Sequence, residues 1–264
     1  MKIPAYIGIT DFETAQQVLD MKQALVQTGS TRLLHVGVMI SYKTLKGLPT
    51  KWAPIFPAKD KLKDIFSVEG VLNILHYADY EDRPDLANSL KDAVAFCGDK
   101  LQGIQLDMIW PAPKELATFC KAYPSIRIIL QIGRNAMEQV GDSPEAAVAR
   151  LASYQGTIAG VLLDRSMGQG KGMDAQALLP YARAIKKAFP ELTLAAAGGL
   201  GPKSMHLVEP MLQEFPDLSI DAQGQLRPSG NAMNPVDWQM AADYLKVAGT
   251  RLPDGSRLSK SSRY

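Results

Sequence analysis

The chain has 264 residues, of which 46% are hydrophobic, 21% charged and 7% aromatic, with a formal charge of +2. That length suits one large domain or two small ones, and the apolar content excludes a disordered chain, because it can offset the entropy of ordering. The only basic block is the tail 251–263, whose Pro, Gly and four Ser mark it as a solvated C-terminus rather than a nucleic-acid arm. No apolar run approaches the roughly 18 residues a membrane span needs, and 1–8 shows no signal-peptide pattern, so a cytoplasmic protein is expected, with neither nucleic acid nor membrane as partner.

Short apolar, often β-branched runs recur along the chain at Pro4–Ile9, Leu33–Ile40, Val71–Tyr77, Gly103–Leu106, Ile126–Ile132, Ile158–Leu163, Leu192–Ala197 and Leu218–Asp221. Most are continuous rather than alternating, the pattern of strands covered on both faces in a parallel sheet. Helical spacing lies between them, at Thr14–Gln27, Pro144–Tyr154, Asp174–Ala188 and Val236–Val247, with Ser143, Asp174 and Asn234 as cap candidates. Pro144 and Pro235 are expected in first turns, where a missing N–H is harmless. Eight strand-then-helix units at about 30-residue intervals predict a single (β/α)8 barrel over 1–249, followed by a tail, 250–264. A doubly wound open sheet is the alternative, weakened because Gly8-Ile9-Thr10-Asp11 has one glycine where the dinucleotide fingerprint needs three.

The segment 41–67 breaks the rhythm. It mixes three prolines and six lysines with Trp52, Ile55 and Phe56, which a purely solvated loop would not need. A lid or binding loop after strand two is one reading; an insertion packed on the rim, or against a neighbouring subunit in a homodimer, is the other. Cys97 and Cys120 read as small buried hydrophobes, and His35, His76 and His206 are scattered, so no metal site of His and Cys is expected.

In such a barrel the reactive face lies where strands end, and there the sequence turns polar: Asp11, Lys43, Asp107, Arg134 and Asp164 each follow a predicted strand and Asp221 ends one. Two glycine clusters stand out. Asp164-Arg165-Ser166-Met167-Gly168-Gln169-Gly170 roots a carboxylate in a flexible loop carrying Arg165, Gly168 and Gly170. Gly198-Gly199-Leu200-Gly201-Pro202 ends strand seven and is expected to open a helix at Pro202. With Gly224 after strand eight, Gly198 and Gly199 occupy the usual phosphate positions of these barrels, where backbone N–H groups meet an anion; tight turns without a ligand are the alternative.

Four ordered stretches, Ile7-Gly8-Ile9-Thr10, Gln105-Leu106-Asp107, Leu162-Leu163-Asp164 with its loop, and Ala197-Gly198-Gly199-Leu200, resemble the phosphoribosylanthranilate isomerase family, the single-barrel enzymes of tryptophan synthesis. The resemblance implies an Amadori-type isomerase needing no cofactor, with Asp164 as general acid. It places the family's general-base cysteine at Ile7, its strand-two arginine nearest Lys43 and its strand-four histidine at Asp107. Isoleucine takes no proton, so the conventional isomerisation is not expected. The expectation is acid–base chemistry on a small phosphorylated sugar derivative, with Asp164 as acid and Asp107, Asp11 or Asp221 as replacement base. A catalytically silent ligand-binding barrel, a phosphosugar epimerase or aldolase-type lyase, and a Mg2+ or Mn2+ site on Asp107, Asp164 and Asp221 are the alternatives.

Overall fold

A computed structural model describes residues 2–81, 84–166 and 172–252. Its eight strands are β1 (Tyr6–Thr10), β2 (Leu33–Ser41), β3 (Leu72–Ala78), β4 (Gly103–Asp107), β5 (Arg127–Gly133), β6 (Gly160–Asp164), β7 (Thr193–Ala197) and β8 (Ser219–Ala222). They pair in parallel and in chain order, and β8 closes on β1 through Ile7↔Ile220 and Gly8↔Asp221. The protein is a (β/α)8 barrel. Each expected strand is present, starting at the expected residue in β2 and β4 and one or two residues late in the others, and reaching up to one residue further at its C-terminal end.

Among the described residues ten α-helices complete the order: α1 (Ala15–Val26), α2 (Tyr42–Leu45), α3 (Leu62–Ile65), α4 (Leu86–Ala95), α5 (Pro113–Ala122), α6 (Arg134–Gln139), α7 (Pro144–Leu151), α8 (Ala175–Ala188), α9 (Glu209–Glu214) and α10 (Trp238–Arg251). Ser143 and Asp174 cap α7 and α8 as expected, each accepting from the backbone N–H three residues on. The cap of α10 is Asp237 rather than Asn234, so Pro235 lies outside the helix; Asp237 receives the N–H groups of both Gln239 and Met240. Helix α10 runs to Arg251, past the expected barrel limit at 249. No helix among the described residues is long and apolar enough to cross a membrane.

Strand alternation assigns each residue a side. Ile7, Ile9, Val36, Val38, Leu130 and Leu163 join the apolar layer between strands and helices. Ile3, Tyr6, Leu72, Ile74, Ile129, Leu162 and Ala195 fill the lower interior. Two residues further along the same inward rows, or four on β1, the fill becomes polar, with Thr10, His76, Gln105, Gln131, Asp164 and Asp221. This period of two places the site.

Candidate functional site

A cavity of about 530 Å³ opens at the C-terminal ends of the strands. Asp107, Asp164, Gln105 and Gln131 line one side, and Thr10, His76 and Asp221 lie on the floor side. The segment after β2 forms a wall: Ser41, Lys43, Lys51, Trp52 and Phe56 all face the cavity. The Trp52 and Phe56 rings stack at 5.4 Å with 9° between planes, and Lys51 Nζ sits 5.2 Å from the Trp52 ring centre. Of the apolar residues noted in 41–67, Trp52 and Phe56 thus face the cavity, and Ile55 does not line it.

Asp107 ends β4. Its Oδ1 accepts a 2.5 Å hydrogen bond from the Tyr80 hydroxyl, which holds the carboxylate at the rim. Desolvation raises its pKa to about 6, outweighing the hydrogen bond that favours the charged form; the negative charge of Asp164 adds to the rise. Burial and the Asp107 charge push the Tyr80 hydroxyl well up, so Tyr80 stays a donor. Asp164 ends β6, buried, and its Oδ1 accepts from both the N–H (2.8 Å) and the Oγ (2.7 Å) of Ser166. These two carboxylates share one cavity but have different partners, Tyr80 for Asp107 and Ser166 for Asp164.

The other expected residues separate. Asp11 is buried but does not line the cavity: Arg227 (2.6 Å) and the Gln223 amide (3.0 Å) both bind its Oδ2. Burial raises its carboxyl pKa even against the pull of Arg227. It therefore clamps the loop after β8 to β1, with its own backbone at φ 86°, and is not available as a base. Lys43 reaches the cavity wall from α2 and pairs with Glu81 at 2.9 Å. Arg165 turns to Asp142 at 3.2 Å. Gly168 and Gly170 fall outside the described residues.

Gly198 and Gly199 form a turn at φ +113° and +65°, a region costly for any side chain. A Cβ at 198 would lie 2.9 Å from both Asp164 Oδ1 and Ser166 Oγ, so glycine lets the β7 turn close against the Asp164 carboxylate. Ser204 Oγ donates to Gly199 O at 2.7 Å and holds the turn. No helix opens at Pro202, contrary to expectation; that residue lies in a turn, and only a short 3-10 segment, Met205–Val208, precedes α9. Among the described residues, the N–H groups of Gly199 and Gly224 donate to no protein acceptor, and both glycines face the cavity.

Sequence reasoning missed the floor. His35 and His76 come together with their Nε2 atoms 3.3 Å apart, and both contact Asp221 at 4.0 Å. Burial drives the His35 pKa well below the ordinary value and takes His76 to about 3, while desolvation lifts Asp221 to about 7. The signal available was the inward row: once the barrel closes, Gly8 pairs with both His35 and Asp221. Ile7, where the family resemblance places a base, is fully buried and belongs to the outer layer, turned away from the cavity.

The sequence matches no protein-family model and no curated protein. Among solved structures, active domain 2 of a thermostable chitinase from Pyrococcus furiosus aligns with a TM-score of 0.55 at 12% identity, over 94% of this chain and 95% of that one. An aldolase, QR15, aligns at 0.54 and 12%, over 91% and 94%. A phosphonopyruvate hydrolase aligns at 0.50 and 11%, over 83% and 75%. At these identities the likeness concerns the barrel alone, a scaffold that hosts many chemistries.

Proposed function

We propose that this barrel is an acid–base enzyme acting on a small phosphorylated sugar derivative at the C-terminal mouth. The observation that carries the reading is the coupled pair Asp107 and Asp164, two carboxylates with different surroundings in one cavity. Such separation is how two identical groups take opposite roles. The resemblance assigns the acid to Asp164; the surroundings favour the reverse. Asp164 accepts two hydrogen bonds from Ser166, the role of a proton acceptor, while desolvation favours the protonated form of Asp107.

In this scheme the Asp164 carboxylate accepts the proton from the sugar carbon beside a carbonyl or imine. Asp107 donates its proton to the electron-rich atom of that group, and an enediol or enamine results. Returning a proton to the neighbouring carbon, with deprotonation of the hydroxyl, completes an isomerisation. Returning it to the opposite face of the same carbon gives an epimerisation. A Schiff-base lyase is less favoured, because none of the eight strands carries a lysine, and of the two lysines facing the cavity Lys43 is ion-paired on α2 and Lys51 lies over the Trp52 ring in the loop. Conventional chemistry at the position of Ile7 has no support.

The phosphate part of the reading rests on Gly199 and Gly224, which line the cavity in the loops after β7 and β8 and whose N–H groups donate to no protein acceptor among the described residues. Calorimetric titration with sugar phosphates and the matching unphosphorylated sugars tests it. Phosphorylated ligands should bind more tightly, and Gly199→Val, checked for native circular dichroism, should erase that preference. Equal affinity for both ligand sets in the wild type removes phosphate from the proposal.

A further inference from the structure

Beneath the acid–base pair, three strands bring nitrogen and oxygen donors to one point. His35 of β2, His76 of β3 and Asp221 of β8 each offer a donor atom within 4.8 Å of the others, and all three residues are buried. Tetrahedral ligands about 2.1 Å from a metal lie about 3.4 Å from one another. The two imidazole Nε2 atoms already stand 3.3 Å apart, and Asp221 Oδ2 lies 4.0 Å from His76 Nε2, a gap of about half an ångström for side-chain motion to close.

The surroundings are shaped for these side chains. A Cβ at Gly8 would meet Asp221 Oδ1 and His35 Nδ1, each at 2.6 Å, and one at Gly37 would lie 2.7 Å from Thr10 Oγ1 and 3.0 Å from His76 Nε2. Inward glycines on β1 and β2 thus leave the volume to the donors. Thr10 Oγ1 donates to Asp221 Oδ2 at 3.0 Å and lies 3.4 Å from His76 Nδ1. If His76 carries its proton on Nδ1, that N–H faces Thr10 and the Nε2 lone pair faces the centre, the outer-sphere arrangement usual for a metal-ligating histidine.

A second observation points to a ligand. Among the described residues no lysine or arginine pairs with Asp221, and its Oδ1 and His35 Nδ1, which face each other at 4.0 Å beside Gly8, are buried without a hydrogen-bond partner, so His35 offers either ring nitrogen and Asp221 either oxygen to an ion. A buried carboxylate without a cation is costly, and a divalent ion offsets that cost. Thr10, His76 and Asp221 also line the cavity, which gives an entry path.

We infer that His35, His76 and Asp221 bind one divalent transition-metal ion, with Thr10 as the positioning residue and the remaining coordination positions facing the cavity. Two imidazoles and one carboxylate suit Zn2+, Co2+ or Fe2+ better than the oxygen-seeking Mg2+ or Ca2+. The inference does not rest on the acid–base reading, in which neither histidine takes part.

The test is titration of chelator-treated full-length protein with Co2+, followed by calorimetry, visible absorption and the histidine ring-proton NMR signals. One Co2+ per chain should bind, with the His35 and His76 signals paramagnetically shifted and those of His206 left in place. Zn2+ should displace it and Mg2+ should not. His76→Asn and Asp221→Asn should weaken binding at least 100-fold, and the near-isosteric Thr10→Val, chosen in case the ligand variants misfold, about 10- to 100-fold. Absence of binding by the wild type overturns the inference. So does Co2+ binding that shifts neither His35 nor His76, or that Thr10→Val leaves unchanged.

Discussion

The lower and upper halves of the barrel interior are built from the same strands, yet they differ completely. On β3 the inward row runs Leu72, Ile74, His76; on β5, Ile129, Gln131; on β6, Gly160, Leu162, Asp164. The lower set packs apolar against apolar, and each such side chain contributes roughly 1.5–3 kcal/mol by leaving water. The upper set holds carboxylates, amides and imidazoles, several of them with orphaned atoms such as Gln105 Oε1 and Asp221 Oδ1. One step of two residues exchanges packing for chemistry. The lower half holds the barrel together, and the upper half carries polar groups whose burial costs stability.

Substitutions at the two levels should therefore break different properties. The largest effect expected is on turnover: Asp164→Asn keeps the shape and the Ser166 contacts but accepts no proton, and should reduce any sugar-phosphate activity by about 10²-fold or more. A variant as active as wild type would remove Asp164 from the chemistry. Next comes stability at the clamp. Asp11→Ala strands the buried Arg227 guanidinium and should cost about 3–5 kcal/mol in denaturant unfolding. A loss below about 1 kcal/mol would show that the ion pair does not hold the β8 loop.

Asp107 should show the opposite sign. Its folded pKa, about 6, lies above that of an unfolded aspartate, about 3.9, so its favourable contribution is fully present below about pH 4. That contribution is lost as pH rises toward and through 6. Asp107→Asn does not titrate and should be more stable than wild type by about 1–3 kcal/mol at pH 8, with the advantage gone at pH 4. Equal stability of the two proteins at both pH values would contradict the raised pKa. The smallest effect is at Ile7→Cys, in the outer layer. A loss of about 1 kcal/mol from reduced burial is expected, with no gain of phosphoribosylanthranilate isomerase activity. Restored isomerase activity would mean that position 7 reaches the mouth.

The fold was legible because nearly every strand is a continuous apolar run and the units repeat evenly. Asp107 and Asp164 were legible as strand ends. The cap of α10 was missed because Asn234 and Asp237 both offer a capping oxygen and only the local backbone selects between them. The clamp and the floor were hidden for a different reason. Asp11 and Arg227 lie 216 residues apart, and His35, His76 and Asp221 meet only after β8 closes on β1. The family resemblance drew attention to Ile7, whereas strand alternation turns Gly8 and Thr10 inward and Ile7 out. Facing, rather than residue type, decided which positions belong to the site.

The central claim is that the mouth moves protons on a phosphorylated sugar derivative through Asp107 and Asp164. Solvent-deuterium incorporation into a panel of aldose and ketose phosphates, followed by proton NMR between pH 5 and 8, tests it most directly. The account predicts enzyme-dependent incorporation at carbon whose rate falls above about pH 6 as Asp107 loses its proton, and which both Asp107→Asn and Asp164→Asn abolish. No incorporation above the buffer rate with any sugar phosphate, or incorporation untouched by both substitutions, would contradict it and leave a barrel that binds without turning over.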